Sequence, residues 1–184
     1  MTFHGHLRVA RRGVCSGMNL FLLRHGLAVE REEFHFASDH LRPLTAKGKR
    51  QLNKVSAAMR ALKTNFEVIL SSPLVRARQT AEIVAADLKL REQVVFADEL
   101  KPGGDAKKLV ARILGLKKTP ENILLVGHEP DLSELISLFV TGKTGAGFVL
   151  RKAGLAKLET EKLRAGKCAT LAWLLTPAQM KLLA

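Results

Sequence analysis

The sequence has little cysteine, few aromatic residues and no long apolar segment, and each shortage excludes a class of protein. Its 184 residues include two cysteines, Cys15 and Cys168, which are too few for a disulfide framework and lack the spacing of metal ligands. Aromatic residues make up 5% of the chain, which argues against a stacking surface for single-stranded nucleic acid. No apolar run approaches the roughly 18 residues of a transmembrane helix, so we expect no membrane association. The low cysteine content favours a reducing, cytoplasmic compartment.

Acidic residues are also scarce relative to basic ones. The chain has 30 Lys and Arg against 17 Asp and Glu, which gives a formal net charge of +13. This balance favours anionic ligands such as phosphates, acidic protein surfaces or nucleic acid, although a solvated basic surface accounts for most of the lysines. Because the basic residues are dispersed rather than gathered in one block, nucleic acid is not the expected partner.

The first 17 residues differ from the rest of the chain. They contain Arg8, Arg11 and Arg12 but no acidic residue, and they lack the apolar core of a secretory signal. We expect residues 1–17 to be a disordered tail or the product of a mis-assigned start, with Met18 as the true start. An organellar transit peptide would have the same acid-free composition. Residues 18–184 are expected to form a single domain.

Short apolar runs alternate with amphipathic segments along this domain. The predicted strands are residues 19–23, 68–70, 94–96 and 123–127, with an edge hairpin at 148–159 and 169–175. The predicted helices begin after Thr45 as N-cap, after Pro73, at Asp105, after Pro130 and after Pro177. Asp131 and Glu134 resemble a capping box. The alternation predicts an α/β fold, a three-layer sandwich in which helices flank a mainly parallel central sheet.

Polar and basic residues follow three of the predicted strands. Arg24, His25 and Gly26 follow the first, Ser72 and then Arg76 follow the second, and His128 follows the fourth. Ligands of parallel sheets bind outside the carboxyl ends of the strands. A single histidine in such a position is usually structural. Two histidines with arginines at one sheet edge instead fit phosphoryl transfer, because arginine binds two oxygens at once and a neutral imidazole can attack phosphorus.

These motifs resemble the three signatures of the histidine phosphatase superfamily, which has the phosphoglycerate-mutase-like fold. The matching segments are L-R-H-G at 23–26, S-S-P-L-V-R-A-R-Q-T-A at 71–81 and V-G-H at 126–128. The resemblance runs from about residue 19 to about residue 175 and is greatest to the SixA-type phosphohistidine phosphatases, through residues 38–45, 99–105 and 127–130. The connection between Arg76 and His128 leaves no room for the long helical insert of the mutases.

The resemblance implies a role for each site residue. His25 is the nucleophile, Ser72 helps to orient the site, and Arg78 falls at a variable position of the motif. The catalytic set that it implies is His25, His128, Arg24 and Arg76, with Glu99 as a candidate proton donor beside the alternatives Asp39 and Asp105. The phosphate-binding set that it implies is Arg24, Arg42, Arg76, His128 and Gly26.

The function implied by the resemblance is that of a phosphatase that needs no metal or cofactor and acts through a phosphohistidine intermediate. Its expected substrate is phosphohistidine on a signalling or phosphotransfer protein, for which solvent could protonate the leaving imidazole. Two alternatives stay open. The substrate could be a small phosphomonoester, or the chain could be a non-catalytic module of the same fold that binds phosphate or a partner.

Overall fold

The computed structural model of this chain describes residues 17–32 and 38–184. The expectations for the tail therefore lie outside the described residues, except at Gly17. Within the described ranges, no helix combines the length and the apolar character that crossing a membrane requires.

Six strands form one mixed sheet with the order β3-β2-β4-β1-β5-β6. The neighbours among β1 to β4 pair in parallel, whereas β5 runs antiparallel to β1 and β6 runs antiparallel to β5. The predicted mainly parallel sheet is thus confirmed. The strands are β1 (Met18–Arg24), β2 (Val68–Ser71), β3 (Val94–Phe96), β4 (Asn122–Gly127), β5 (Leu155–Thr160) and β6 (Thr170–Leu175).

Helices cover both faces of the sheet, as the sequence predicts. The α-helices are α1 (Ala46–Ala61), α2 (Val75–Asp87), α3 (Ala106–Leu114), α4 (Asp131–Thr141) and α5 (Pro177–Met180), and the 3-10 helices are Asp39–Leu41, Arg91–Gln93 and Asp98–Leu100. Helices α1, α2 and α5 pack on one face and α3 and α4 on the other. The chain therefore forms a three-layer sandwich.

Strand β1 joins the two cores because its side chains alternate between them. Phe21 and Leu23 belong to the core under α1 and α2, whereas Leu20 and Leu22 belong to the core under α3 and α4. Full burial of each such side chain stabilises the fold by about 1.5–3 kcal/mol. The position of the residue that follows β1, His25, is consequently held by packing on both faces of the sheet.

The predicted capping box at the start of α4 is wrong. Pro130 occupies the N-cap position, and no side chain caps the helix. The Oδ1 atom of Asp131 instead accepts a hydrogen bond from the amide of Gly103 at 2.9 Å, and Oε2 of Glu134 accepts one from the amide of Gly145 at 2.7 Å. Both carboxylates therefore tie neighbouring loops to α4, a use that depends on tertiary contacts and is not visible in the local pattern.

The predicted edge hairpin is confirmed except for residues 148–154, the first part of its first strand. Strands β5 and β6 pair antiparallel and β6 lies at the sheet edge, but residues 148–154 form no strand. Ala153 adopts a positive φ of 60°, and its amide donates to the carbonyls of Arg24 and His25, each at 3.1 Å. This turn breaks the alternation and holds the end of β1 in place.

Candidate active site

Three side chains follow the carboxyl ends of the adjacent strands β1, β4 and β2. His25 comes after β1, His128 after β4 and Ser72 after β2. The parallel ladder continues into these residues, because the amide of His25 donates to the carbonyl of Gly127 at 3.1 Å and that of Ser72 to Val126 at 2.9 Å. The two imidazole rings consequently lie with their centroids 5.1 Å apart.

A cleft of about 690 Å³ opens at this sheet edge. It contains most of the residues that the sequence singles out, although not Gly26, Ser72, Arg78, Glu99 or Asp105. The members of its lining that concern the site are Arg24, His25, Asp39, Arg42, Arg76, His128 and Glu129.

The surroundings of His25 determine its protonation state. Its ring is 6% exposed, and Nδ1 lies 2.8 Å from the carbonyl oxygen of Gly26. Because a carbonyl only accepts hydrogen bonds, Nδ1 carries the proton and Nε2 keeps its lone pair. Desolvation, together with the positive potential from His128, Arg76 and Arg24, lowers the pKa of His25 to about 3 despite the hydrogen bond to Gly26. At neutral pH, His25 is therefore buried and uncharged, and its Nε2 keeps a free lone pair.

His128 is buried with one ring nitrogen engaged and the other free. Its Nε2 lies 2.8 Å from Oγ of Ser72. The same Oγ accepts a hydrogen bond from the amide of Leu74 at 3.3 Å, which leaves its own proton for Nε2. Its Nδ1 is buried without a hydrogen-bond partner. Desolvation and then the charge of Arg76 lower the pKa of His128 to about 3, so the ring is neutral at physiological pH. When Ser72 donates to Nε2, Nδ1 carries the proton and is a donor.

Arg24 and Arg76 are each held by oxygen atoms of the protein. Nη1 of Arg24 donates to the carbonyl of Leu150 at 3.0 Å. Nη1 of Arg76 donates to the carbonyl of Asp39 at 2.9 Å, and its Nη2 lies 3.1 Å from Oδ2 of the same residue. Burial lowers the pKa of both guanidinium groups, which nevertheless stay charged. In both residues Nε is buried without a partner.

The unpaired donors of the site are its most informative feature. In the described part of the chain, the buried side-chain nitrogens without a hydrogen-bond partner are Nε of Arg24, Nε of Arg76 and Nδ1 of His128. All three residues line the same cleft. A buried polar group without a partner costs about 1–3 kcal/mol, so such groups rarely persist without a function. Three donors around a neutral imidazole suit an anion with several acceptor oxygens.

Asp39 holds the arginines in position. Its Oδ1 accepts from Nε of Arg42 at 3.0 Å and lies 3.4 Å from Nε of Arg31, while Oδ2 faces Arg76. Burial works to raise the pKa of Asp39, but the charges of Arg76, Arg42 and Arg31 outweigh it and lower the pKa. Asp39 is therefore ionised. Nη1 of Arg42 also donates to the carbonyl of Val29 at 2.8 Å, so two of its nitrogens already have protein partners.

Gly26 lies beneath the cleft rather than in its wall. Its amide donates to Oγ1 of Thr80 at 3.1 Å, and a Cβ at this position would come within 2.8 Å of Cδ1 of Leu52. The glycine thus permits the close approach of α1 and α2 to the end of β1.

The sequence reasoning missed Thr80 and Gln79 as supports of the site, although both belong to the second motif. Oε1 of Gln79 accepts from the amide of Leu44 at 2.8 Å.

Two of the predicted proton-donor candidates lie outside the cleft. Glu99 lines a second, mainly apolar cavity of about 150 Å³ that shares His128 with the cleft, and its Oε2 lies 3.7 Å from Nη1 of Arg112. Asp105 is the N-cap of α3 and accepts hydrogen bonds from two amides of the first turn at 2.7 and 3.3 Å.

Glu129 is a carboxylic acid in the cleft wall that the sequence reasoning missed. Its Oε2 accepts from Oγ of Ser133 at 2.6 Å, and its Oε1 is buried without a partner. Burial raises the pKa of Glu129 against the opposing effects of Ser133 and Arg24. The signal for it was its place directly after His128 in the third motif.

No group of three or more His, Cys, Asp or Glu residues that could hold a metal ion is present in residues 17–32 and 38–184.

Comparisons with known proteins agree with this fold and identify the family. Residues 20–102 match the model of the histidine phosphatase superfamily (branch 1). An uncharacterized protein of Picosynechococcus sp. (strain ATCC 27264 / PCC 7002 / PR-6) is 40% identical over 148 residues, which cover 80% of this chain and 88% of the relative. The phosphohistidine phosphatase SixA of Escherichia coli (strain K12) is 28% identical over 166 residues, covering 90% of this chain and 98% of SixA.

The solved structures include a further close match. The structure of the protein histidine phosphatase SixA complexed with tungstate superposes with a TM-score of 0.73 and 29% sequence identity. The match covers 88% of this chain and 98% of that one.

Proposed function

Because this chain belongs to the histidine phosphatase superfamily, we propose that it is a metal-independent phosphatase that removes phosphate from phosphohistidine on a protein. The observation that carries the proposal is the set of three unpaired buried donors around neutral His25. Tungstate, the ligand of the SixA structure, is a tetrahedral oxyanion like phosphate, and this chain offers donors for such a group.

The first chemical step is the transfer of the phosphoryl group to His25. The phosphoryl oxygens accept hydrogen bonds from Nε of Arg24, Nε of Arg76 and Nδ1 of His128, which neutralise the charge in the transition state. Nε2 of His25 attacks phosphorus, so that a P–N bond to His25 forms as the bond to the leaving group breaks. Because Gly26 fixes the ring and its tautomer, the lone pair is available without a prior proton transfer.

Proton transfer is the task of Glu129 in this proposal. Burial raises the pKa of Glu129, which favours its protonated form, and in this form the carboxyl donates its proton to the leaving nitrogen or oxygen. As a carboxylate it then takes a proton from the water that attacks phosphorus of the intermediate. The P–N bond to His25 breaks, inorganic phosphate leaves, and both His25 and Glu129 return to their starting states. Ionised Asp39 has no proton to donate.

Two features support phosphohistidine as the substrate. The two matches described above that cover the largest share of this chain are both to SixA, under names that specify phosphohistidine or protein histidine phosphatase activity. The connection between α2 and β4 is also short and contains only β3, α3 and two 3-10 helices. No long insert from that connection covers the cleft, which leaves room for a phosphorylated side chain on a protein surface.

The test is the hydrolysis of a phosphohistidine protein in excess chelator by the parent protein and by His25→Ala and His128→Ala. We expect turnover by the parent, complete loss in His25→Ala and a loss of about 100-fold or more in His128→Ala. With substrate labelled in its phosphoryl group, rapid quenching in alkali, where phosphohistidine survives, should trap the label on the parent protein but not on His25→Ala. Turnover that requires metal, or labelling of His25→Ala, would overturn the mechanism.

Glu129→Gln separates proton donation from phosphate binding. Aryl phosphates have a good leaving group that departs without a proton, whereas alkyl phosphates need one. We expect Glu129→Gln to reduce kcat/KM, which reports the first phosphoryl transfer, about 100-fold for an alkyl phosphate and only slightly for an aryl phosphate. Equal losses on both substrates would remove Glu129 from this role, and Glu99→Gln in the same assay would then identify or exclude the predicted alternative.

A further inference from the structure

The outer face of α1 carries positive charge that nothing in the proposed mechanism uses. Lys47, Arg50 and Lys54 are exposed and follow one another at spacings of three and four residues, so they lie along one side of the helix over about 10 Å. The sixteen residues of α1 contain no acidic residue. Among the residues that the structure describes, none of these three cations forms an ion pair, in contrast to Arg78 of α2, which pairs with Glu82.

This arrangement opposes the intrinsic stability of the helix. Like charges at spacings of three and four residues repel each other. The first turns of a helix also favour acidic residues because the helix dipole is positive there, yet α1 has Lys47, Lys49 and Arg50 at that end and no acid. A helix that is arranged against its own electrostatics gains stability when an anionic partner binds to it.

Basic residues continue from α1 to the phosphate cleft, and one of them, Lys152, pairs with Glu30 at 3.4 Å at the cleft. A depression that contains Lys47, Arg50, Lys54 and Lys181 adjoins a second one that contains Lys47, Arg151, Lys152 and Arg24. Arg24 and Lys152 also line the cleft itself. No acidic residue lines either depression. We call Lys47, Arg50, Lys54, Arg151, Lys152 and Lys181 the basic face.

We infer that the basic face docks an acidic protein surface that surrounds the phosphorylated side chain of the substrate. The inference rests on the proposed function, and it specifies what that function leaves open, namely the chemistry of the partner around its phosphohistidine. A partner with carboxylates beside its phosphohistidine would contact the basic face while its phosphoryl group lies between Arg24 and Arg76. The gain is in encounter and binding rather than in the chemical step, because exposed charges act mainly on association.

Continuity with the cleft favours a protein over a nucleic acid. The second depression shares Arg24 and Lys152 with the cleft, so a partner that covers the basic face lies directly beside the cleft that contains His25. The two depressions include no aromatic residue on which a base could stack. An acidic phosphoprotein can cover the basic face while its phosphoryl group enters the cleft, and its binding needs no aromatic residue for stacking.

The test uses two peptides of 15 residues with a central phosphohistidine, one flanked by aspartate and glutamate and the other by asparagine and glutamine. Extended, the seven residues on either side of the phosphohistidine span roughly 25 Å, which exceeds the roughly 10 Å over which Lys47, Arg50 and Lys54 lie. We expect kcat/KM to be about tenfold higher for the acidic peptide, through a lower KM, and the advantage to shrink as salt rises. The variant Lys47→Glu/Arg50→Glu/Lys54→Glu should lose the advantage while its turnover of phosphoramidate, a small P–N substrate, stays unchanged.

A matched control carries the same change of net charge at the opposite edge of the sheet. Arg91, Lys117 and Lys162 are exposed and lie next to the amino ends of β3 and β4 and beyond the end of β5. Arg91→Glu/Lys117→Glu/Lys162→Glu should keep the preference for the acidic peptide. Equal preference for the two peptides, or equal losses in both triple variants, would overturn the docking surface and leave only a general effect of net charge.

Binding of the unphosphorylated peptides, followed by fluorescence anisotropy, separates this proposal from the proposed function. If the parent protein hydrolyses neither peptide nor phosphoramidate, the proposed function fails, yet tighter binding of the acidic peptide through Lys47, Arg50 and Lys54 would still support the docking surface. A labelled DNA duplex is the competing probe. If the duplex binds more tightly than the acidic peptide and through the same three residues, the surface binds nucleic acid and the inference is wrong.

Discussion

The protein places two groups of positive charges side by side, and their surroundings differ in every respect. Arg76 is buried and Arg24 is half-buried, each is held by protein oxygens, and each has a buried Nε without a hydrogen-bond partner. Lys47, Arg50 and Lys54 are exposed and without ion-pair partners among the described residues. A buried, oriented cation acts on one group at short range, whereas exposed cations act through a diffuse field that salt screens. Although their charges are equal, the buried cations are therefore expected to bind one phosphoryl group and the exposed cations to attract a whole partner surface.

The largest expected effect comes from Arg76→Lys. Lysine keeps the charge but has no planar fork with which to bond Asp39 and a phosphoryl oxygen together. We expect kcat to fall about 100- to 1000-fold for both the phosphohistidine peptides and phosphoramidate, independently of salt. Arg91→Lys, the same exchange at an exposed position, should leave kcat unchanged. If Arg76→Lys retained its activity, charge alone would suffice in the cleft, and the contrast between the two groups of cations would fail.

A smaller effect is expected on the stability of the protein at mildly acidic pH. In the folded state the pKa values of His25 and His128 are lowered to about 3, against about 6.5 when unfolded. Between these values the unfolded chain binds protons that the folded protein does not, so the free energy of unfolding decreases as the pH falls below 6.5. Each histidine should account for about 2 kcal/mol of lost stability at pH 5.

Denaturant unfolding at pH 7.5 and pH 5 measures this loss. His25→Asn and His128→Asn, which lack the titrating group, should each lose less stability between the two pH values than the parent protein does. Lys54→Gln, an exchange at an exposed position outside the cleft, should keep the pH dependence of the parent. A His25→Asn variant with an unchanged pH dependence would contradict the burial of a neutral imidazole in the cleft.

The smallest expected effect is a gain of stability in Lys47→Glu. An acid in the first turn of α1 interacts favourably with the helix dipole and removes a repulsion with Arg50, so we expect unfolding to require about 0.3–1 kcal/mol more. The measurement is denaturant unfolding at low salt, with Lys117→Glu outside the helices as the control. A loss of stability would show that the positive charge of α1 supports the fold itself, and the argument for an external anionic partner would then weaken.

The fold could be predicted from local patterns because burial imposes them. Strand β1 has apolar residues directed into two cores, and Thr45 caps α1 by accepting from the amide of Gly48 at 3.0 Å, as its sequence predicts. The capping box predicted at Asp131 was wrong because a tertiary contact, and not the local sequence, determines what this carboxylate bonds. A carboxylate at a helix start can bond its own helix or a loop that lies nearby, and the local sequence does not contain the position of Gly103.

The candidate site, like the fold, was predictable only in part from the sequence. The motifs pointed to Arg24, His25, Arg42, Arg76 and His128, and the structure brings all five into one cleft, whereas Gly26, Glu99 and Asp105 lie outside it. Glu129 was missed because a glutamate beside a histidine looks like any solvated carboxylate. Its burial and its contact with Ser133 depend on how α4 packs against the end of β4.

The sequence by itself determined the α/β sandwich, the sheet edge at which the polar residues collect and the identity of the two histidines. These follow from periodicity and from the order of strands and motifs, which are properties of the chain. Only the tertiary structure decided which nitrogen of His25 holds the proton, which donors stay unpaired, and that Asp39 holds arginines instead of donating a proton. Hydrogen bonds and desolvation depend on distances between residues far apart in sequence, and folding alone sets those distances.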